Sequence, residues 1–172
     1  YGPLAIAAYG IAFRVESFVI LPVIGIATAV VTIVGQNVGA KKFARAEKTV
    51  WAASKIAVVY VFFLAILLFI FPGVWYSVFT DNTTLIGYGI NFLRVVSAFY
   101  VFAAVAVIIF SACQVAGHAT PSLVMTALRL FIFSISLSLF FSFTLVYGLN
   151  CIWMGAALAT MFTSIISVIW FK

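Results

Sequence analysis

The sequence is short of charge, and of acid above all: 172 residues contain three Asp or Glu, nine Lys or Arg and one His. Only 7% of the residues are charged, where soluble domains carry about 25%, which excludes a water-soluble globule and a solvated disordered tail. One His and two Cys cannot assemble a metal cluster. Paired carboxylates, a Ser/His/Asp or Cys/His set and a phosphate-cradling Gly-rich loop are all missing. An enzyme is therefore not expected, nor a metal or a cofactor. The net charge of +6 comes from one short cluster and scattered positions, which is not the footprint of a nucleic-acid binder. Cys113 and Cys151 fall near opposite ends of their apolar runs. A bilayer core of about 30 Å separates them, and a disulfide needs Cα atoms within about 7 Å, so they do not pair and read as two small buried residues.

What the chain has in abundance is oil. Apolar and aromatic residues make up 67% of it, and the mean hydropathy is +1.33. This is the composition of an integral membrane protein. Five apolar runs stand out, at 18–34, 56–79, 95–116, 130–147 and 151–171. With their flanks they predict spans over about 5–39, 50–79, 84–116, 122–147 and 150–171. None shows the short alternating pattern of a membrane β-barrel, so each is expected to be helical. The fold class is all-α, a polytopic transmembrane bundle. Pro22 removes a backbone donor from the first span and is expected to kink or thin it. Pro72-Gly73 predicts a bend or early exit from the second.

Orientation follows from the cations. The first connection, 41–48, with Lys55 carries Lys41, Lys42, Arg45, Lys48 and Lys55. The second and fourth connections carry no cation, whereas Arg129 follows the third and Lys172 closes the chain. Placing these on one side puts seven of the nine basic residues in the cytoplasm, as the positive-inside rule prefers. The chain then starts outside, in the cytoplasmic or inner membrane. It opens Tyr1-Gly2-Pro3 with no secretory signal, and reads as a piece of a longer polypeptide.

Ionisable residues inside a span cost about 2.5–3.5 kcal/mol each at the centre. Counting outward from Gly39 and Ala116 sets Arg14, Glu16 and Arg94 at one outer level. Arg14 and Glu16 stand about 200° apart on a helix, so they face different ways. Two readings of this level remain: Glu16 pairs with Arg94 across the bundle, or the charges snorkel to water. Arg129, about two turns beyond Pro121, is expected near the cytoplasmic end, where snorkelling accounts for it. His118 reads as a loop residue. Ser134, Ser138 and Ser142 recur every four residues, and Ala156, Thr160, Thr163, Ser164 and Ser167 share a face of the last span. These stripes suit either a close helix seam or the wall of a wet cavity. Most Phe residues read as lipid-facing or packed. Phe99 and Tyr100, just beyond Arg94, are candidates to line a cavity for a flat organic cation.

One run is specific. Gly35-Gln36-Asn37-Val38-Gly39-Ala40, followed by Arg45-Ala46, resembles the GQNxGA-type segments of the multidrug and toxin extrusion (MATE) transporters. In that family such segments close the second and eighth helices ahead of an RA-containing connection. Upstream, the run 7–16 is similar to the approach to the eighth helix. Downstream, Cys113-Gln114-Val115-Ala116-Gly117-His118, then Leu128-Arg129, resembles the junction of the tenth and eleventh.

The resemblance implies helices eight to twelve, part of the carboxy-terminal lobe of a twelve-helix, two-lobe exporter. It implies a small organic cation, drug or metabolite moving outward against Na⁺ or H⁺ by alternating access. It also implies an amino-terminal lobe as partner and the bilayer as surroundings. Gly35, Gln36, Asn37, Gly39, Ala40, Arg45, Gln114, Gly117 and Arg129 are the motif positions, and Glu16, Arg14, Arg94, Phe99 and Tyr100 the substrate or coupling candidates. One departure stands: some members carry a coupling carboxylate in the tenth helix, and 95–116 contains no Asp or Glu. A lipid-linked sugar flippase of the wider superfamily and a non-transport membrane scaffold are the alternatives.

Overall fold

In the computed structural model, residues 2–117, 119–144 and 149–171 are described. His118, Lys172 and the side chains of Ser142 and Cys151 lie outside the described set. The elements run α1 (Gly2–Gly39), α2 (Phe43–Ile70), α3 (Pro72–Ser77), α4 (Thr83–Ser97), α5 (Tyr100–Val115) and α6 (Ala119–Ala127). A π-helical stretch (Leu128–Ser134), α7 (Ile135–Thr144) and α8 (Leu149–Phe171) follow. Among the described residues all regular structure is helical. Within that set, four helical stretches are long and apolar enough to cross a membrane, at Pro3–Gly39, Phe43–Ile70, Ser122–Phe140 and Trp153–Phe171. The pair α4 and α5, bent by 54°, makes a fifth if it counts as one broken span.

Apart from Leu68 near the end of α2, the first two helices bury small residues. α1 turns Ala5, Ala8, Ala12, Val15, Val19, Val23, Ala27, Val30 and Val34 inward at three- and four-residue steps. α2 answers with Ala46, Val50, Ala53, Ala57, Val61 and Ala65. Large side chains point the other way: Phe13, Phe18, Phe62 and Phe63 are all more than half exposed, at 57–64%. Water would not tolerate this distribution, but lipid does, because oily side chains gain nothing by leaving it. Helices there associate through close backbone approach at small residues. Small rows thus let α1, α2 and α5 pack in a mutually contacting trio, with α8 against α5 and α7.

Pro22 sits inside α1 without interrupting it. Having no N–H, it leaves the carbonyl of Phe18 without its usual donor. The Tyr60 hydroxyl of α2 donates to that oxygen at 3.0 Å. A defect in one helix is therefore repaired by its neighbour, as membrane helices with internal proline require. α2 stops at Ile70, and Pro72 opens α3 at its first turn, where a missing N–H costs nothing. Asn82 then caps α4, its Oδ1 accepting from the amides of Thr84 and Leu85 at 3.1 and 3.2 Å.

The expected span over about 84–116 is not one straight helix. Around Ala98 the hydrogen bonds shorten in register: Phe99 N donates to Val96 O and Phe102 N to Phe99 O. The chain turns by 54° between α4 and α5. Hydropathy registers oil, not direction, so nothing in the run announced the bend.

Candidate functional site

Glu16 is on the inward side of α1, half-buried. Its Oε1 accepts a hydrogen bond from the Tyr100 hydroxyl at 3.1 Å. Tyr100 is the first residue of α5, placed immediately after the α4–α5 bend. The bend therefore turns a buried phenol toward Glu16 of α1. Glu16 and Tyr100 open on a cavity of about 600 Å³, in the range of drug-sized ligand sites.

The walls differ in chemistry. On one side Tyr9 meets Phe92 edge-on at 5.7 Å, and Phe92 meets Trp153 in the same manner at 5.1 Å. Phe13 and Phe99 add further rings to the lining. Such rings offer their negative faces to a cation. Another part of the wall is polar, made of Ser134, Ser138 and Thr160, with Arg129 beside them.

The expected pair of Glu16 and Arg94 is not what the structure shows. Arg94 is exposed, and among the described residues no ion pair joins it to Glu16. The reason is rotational: Glu16 faces the bundle, where Tyr100 reaches it first, while Arg94 in the last turn of α4 faces out. Arg14 also points away from the cavity, its guanidinium 6.0 Å from the centre of the Phe79 ring. Of the five substrate or coupling candidates, the structure brings together Glu16, Phe99 and Tyr100, and leaves Arg14 and Arg94 outside.

Arg129 is half-buried and lines the cavity. The two hydroxyl stripes divide between their readings. Ser134, Ser138 and Thr160 reach the cavity wall. Deeper along α8, Thr163, Ser164 and Ser167 are 1–3% exposed and form a packed seam. Nearer the start of α8, Gly155 allows a separate close approach to α7, since a Cβ there would come within 2.6 Å of the Ser138 backbone. Tyr9, Phe92 and Trp153 were not read from the sequence. Tyr9 had a signal, lying two helical turns before Glu16 on the same face. Phe92 and Trp153 had none, because α4 and α8 meet only in three dimensions.

The glycine-rich motif has a structural account. A Cβ on Gly35 would sit 3.2 Å from Val115 Cγ2, so its absence lets α1 approach the end of α5. Asn37 Nδ2 donates to Ile33 O at 2.8 Å, while Asn37 O and Val38 O accept from the amides of Lys42 and Lys41. With Lys41 at φ 59°, this is a Schellman closure of α1. Gly39, Gln36, Ala40 and Arg45 have open surroundings. At the other junction Gln114 Nε2 donates to Ser122 Oγ at 3.0 Å, tying α5 to α6. Gly117 takes φ +87°, a left-handed closure that favours glycine. Among the described residues no three His, Cys, Asp or Glu gather to hold a metal.

A family model described as MatE matches residues 1–140. The chain belongs to the MatE family. Solved structures agree on the fold. A MOP superfamily transporter from Pyrococcus furiosus, whose binding pocket is described as having reversed polarity, superposes with a TM-score of 0.93 at 22% identity. An outward-facing multidrug resistance MATE transporter gives 0.94 at 23%, and each covers 99% of this chain. An inward-facing one gives 0.90 at 22% over 96% of this chain. In each case the chain spans 38% of the length of the solved one. No curated protein matches the sequence. The MatE chain is thus an integral membrane protein with the all-helical fold of transporters, and the structures it resembles are transporters rather than enzymes.

Proposed function

We propose that this MatE chain forms part of a secondary active transporter that moves organic cations outward in exchange for Na⁺ or H⁺. The observation that carries the reading is the Glu16–Tyr100 pair at the edge of a 600 Å³ cavity walled by Tyr9, Phe13, Phe92, Phe99 and Trp153. A carboxylate in a low-dielectric, aromatic chamber attracts a flat cation by charge and by the ring faces together. The same carboxylate can hold Na⁺ or a proton instead, but not with the organic cation. Mutual exclusion at one acid is the simplest coupling of two cation fluxes.

In this reading the cavity works between this bundle and an amino-terminal lobe, in the cytoplasmic membrane with the 41–48 connection inside. Alternating access comes from one lobe rocking against the other. Arg14, Gln36 and Arg45 act at the periphery rather than on the substrate. A lipid-linked sugar flippase fits less well. An anionic pyrophosphate needs several cations in the cavity, and of Arg14, Arg94 and Arg129 only Arg129 lines it. A pure scaffold has no use for an acid facing a cavity.

Ethidium efflux from cells producing the intact transporter tests this directly. The wild type lowers ethidium accumulation and Glu16→Gln abolishes the effect. Efflux and ion dependence unchanged by Glu16→Gln would remove this acid from the mechanism.

A further inference from the structure

Charge gathers at one place away from the cavity. Five of the nine Lys and Arg residues lie between 41 and 55, in the turn from α1 to α2 and the first turns of α2. Both helices are long and apolar enough to cross a membrane, so the turn between them sits at a bilayer surface. Lys41, Lys42, Arg45, Lys48 and Lys55 are all exposed, and among the described residues none has an ion pair. The one acid in this stretch is Glu47, and it is engaged elsewhere: its Oε1 accepts from the Trp51 indole N–H at 3.3 Å.

The cations on α2 form a stripe. At about 100° per residue, Arg45, Lys48 and Lys55 fall within an arc of about 80°. The buried row Ala46, Val50, Ala53 and Ala57 lies on the opposite face, so the stripe looks away from the bundle. The same outward face continues into oil, with Ile56, Val59, Phe63 and Ile66 exposed. One helix face thus passes from basic to apolar at Lys55 and Ile56, as a surface does where headgroups give way to acyl chains. Side chains on a helix lean toward its N-terminus, here toward the surface, so the Lys55 stem carries its ammonium back to the headgroups. Phe43 is exposed at the same end, and Trp51 packs edge-on against Phe171 at 6.0 Å. Aromatics at this level anchor a protein at the interface.

We propose that the α1–α2 turn and this stripe form a binding surface for anionic phospholipids, with acidic headgroups across Lys42, Arg45, Lys48 and Lys55 and acyl chains along Ile56, Val59 and Phe63. A lipid rather than a soluble anion is the occupant, because only a lipid satisfies both halves of the face at once. The proposal does not depend on what the cavity carries.

Native mass spectrometry of the intact transporter tests it, released from micelles doped equally with phosphatidylglycerol and phosphatidylcholine of matched chains. The wild type is expected to retain the anionic lipid over the neutral one by about tenfold, since a cation near an anionic surface contributes about fivefold. Lys42→Gln, Arg45→Gln, Lys48→Gln and Lys55→Gln together lower that ratio at least about fivefold. The charge-keeping set Arg45→Lys, Lys48→Arg and Lys55→Arg holds it within about twofold of the wild type. Ala52 is exposed between Lys48 and Lys55, and Ala52→Lys raises the ratio about fivefold, a gain that misfolding cannot mimic. A ratio unmoved by the Gln set or by Ala52→Lys, or lowered as far by the charge-keeping set as by the Gln set, overturns the proposal. Displacement of phosphatidylglycerol by inorganic phosphate at matched ionic strength marks a soluble-anion site and overturns it too.

Discussion

Replacing Tyr60 with Phe removes one oxygen and tests how the bundle tolerates a proline in its longest helix. The Tyr60 hydroxyl is 3.0 Å from the Phe18 carbonyl, which lost its usual donor because position 22 is proline. Within the bilayer no water replaces the lost bond. Hydrogen bonds between membrane helices average about 0.6 kcal/mol, with the largest near 1.7. A carbonyl left with no donor belongs toward the upper end, so Tyr60→Phe should cost about 1–1.5 kcal/mol. Pro22→Ala supplies an amide at position 22 and closes the ordinary bond within α1. In that background Tyr60→Phe should cost only a few tenths of a kcal/mol. The coupling energy between the two positions is then about 1 kcal/mol, well above the roughly 0.3–0.5 kcal/mol expected of independent sites. Denaturant unfolding of the four purified proteins in matched micelles measures it. Equal losses from Tyr60→Phe in both backgrounds would refute the repair of α1 by α2.

Three further substitutions probe other parts of the bundle. A Cβ at Gly89 would overlap the ring of Tyr76, which is fully buried and donates to Ala8 O at 3.0 Å. Gly89→Ala should therefore lower stability by about 1–3 kcal/mol, seen as a drop in melting midpoint; an unchanged midpoint would show that Tyr76 has room to move. Lys41 closes α1 at φ 59°, where side chains are disfavoured by about 1–2 kcal/mol. Lys41→Gly should raise the midpoint, and a fall would place that lysine in a stabilising contact. Ser97 is 1% exposed and, among the described residues, its hydroxyl has no hydrogen-bond partner. Ser97→Ala should stabilise by about 1 kcal/mol, unless the hydroxyl finds a partner in another conformational state, which would appear as lost transport with a higher midpoint.

The sequence carried the membrane character, the five spans and the glycine motif openly. Bilayer thickness sets the length of an oily run, and the close approach at Gly35 and the left-handed turn at Gly117 each call for glycine. Proline was half legible. Pro22 marked a missing bond, but that Tyr60 would satisfy the orphaned carbonyl is a fact about where α2 lies. The cavity was legible only in fragments. Glu16, Phe99 and Tyr100 stood out because an acid and a phenol are conspicuous amid oil. The predicted Glu16–Arg94 pair failed because depth along a helix says nothing about rotation around it. Arg129 was set near the cytoplasmic end by counting from Pro121, and a count along the chain does not tell that its side chain lines a cavity. Tyr9, Phe92 and Trp153 come from three helices, and only their packing makes them one wall.

The account turns on Glu16 serving both the organic cation and the coupling ion. Equilibrium binding of a fluorescent cation to the intact transporter, titrated with Na⁺ and with acid, tests this most directly. Na⁺ or protons should displace the cation from the wild type, each filling or neutralising the carboxylate. Glu16→Gln should bind the cation more weakly and lose the displacement. Displacement of equal strength in both proteins would contradict the shared-acid mechanism.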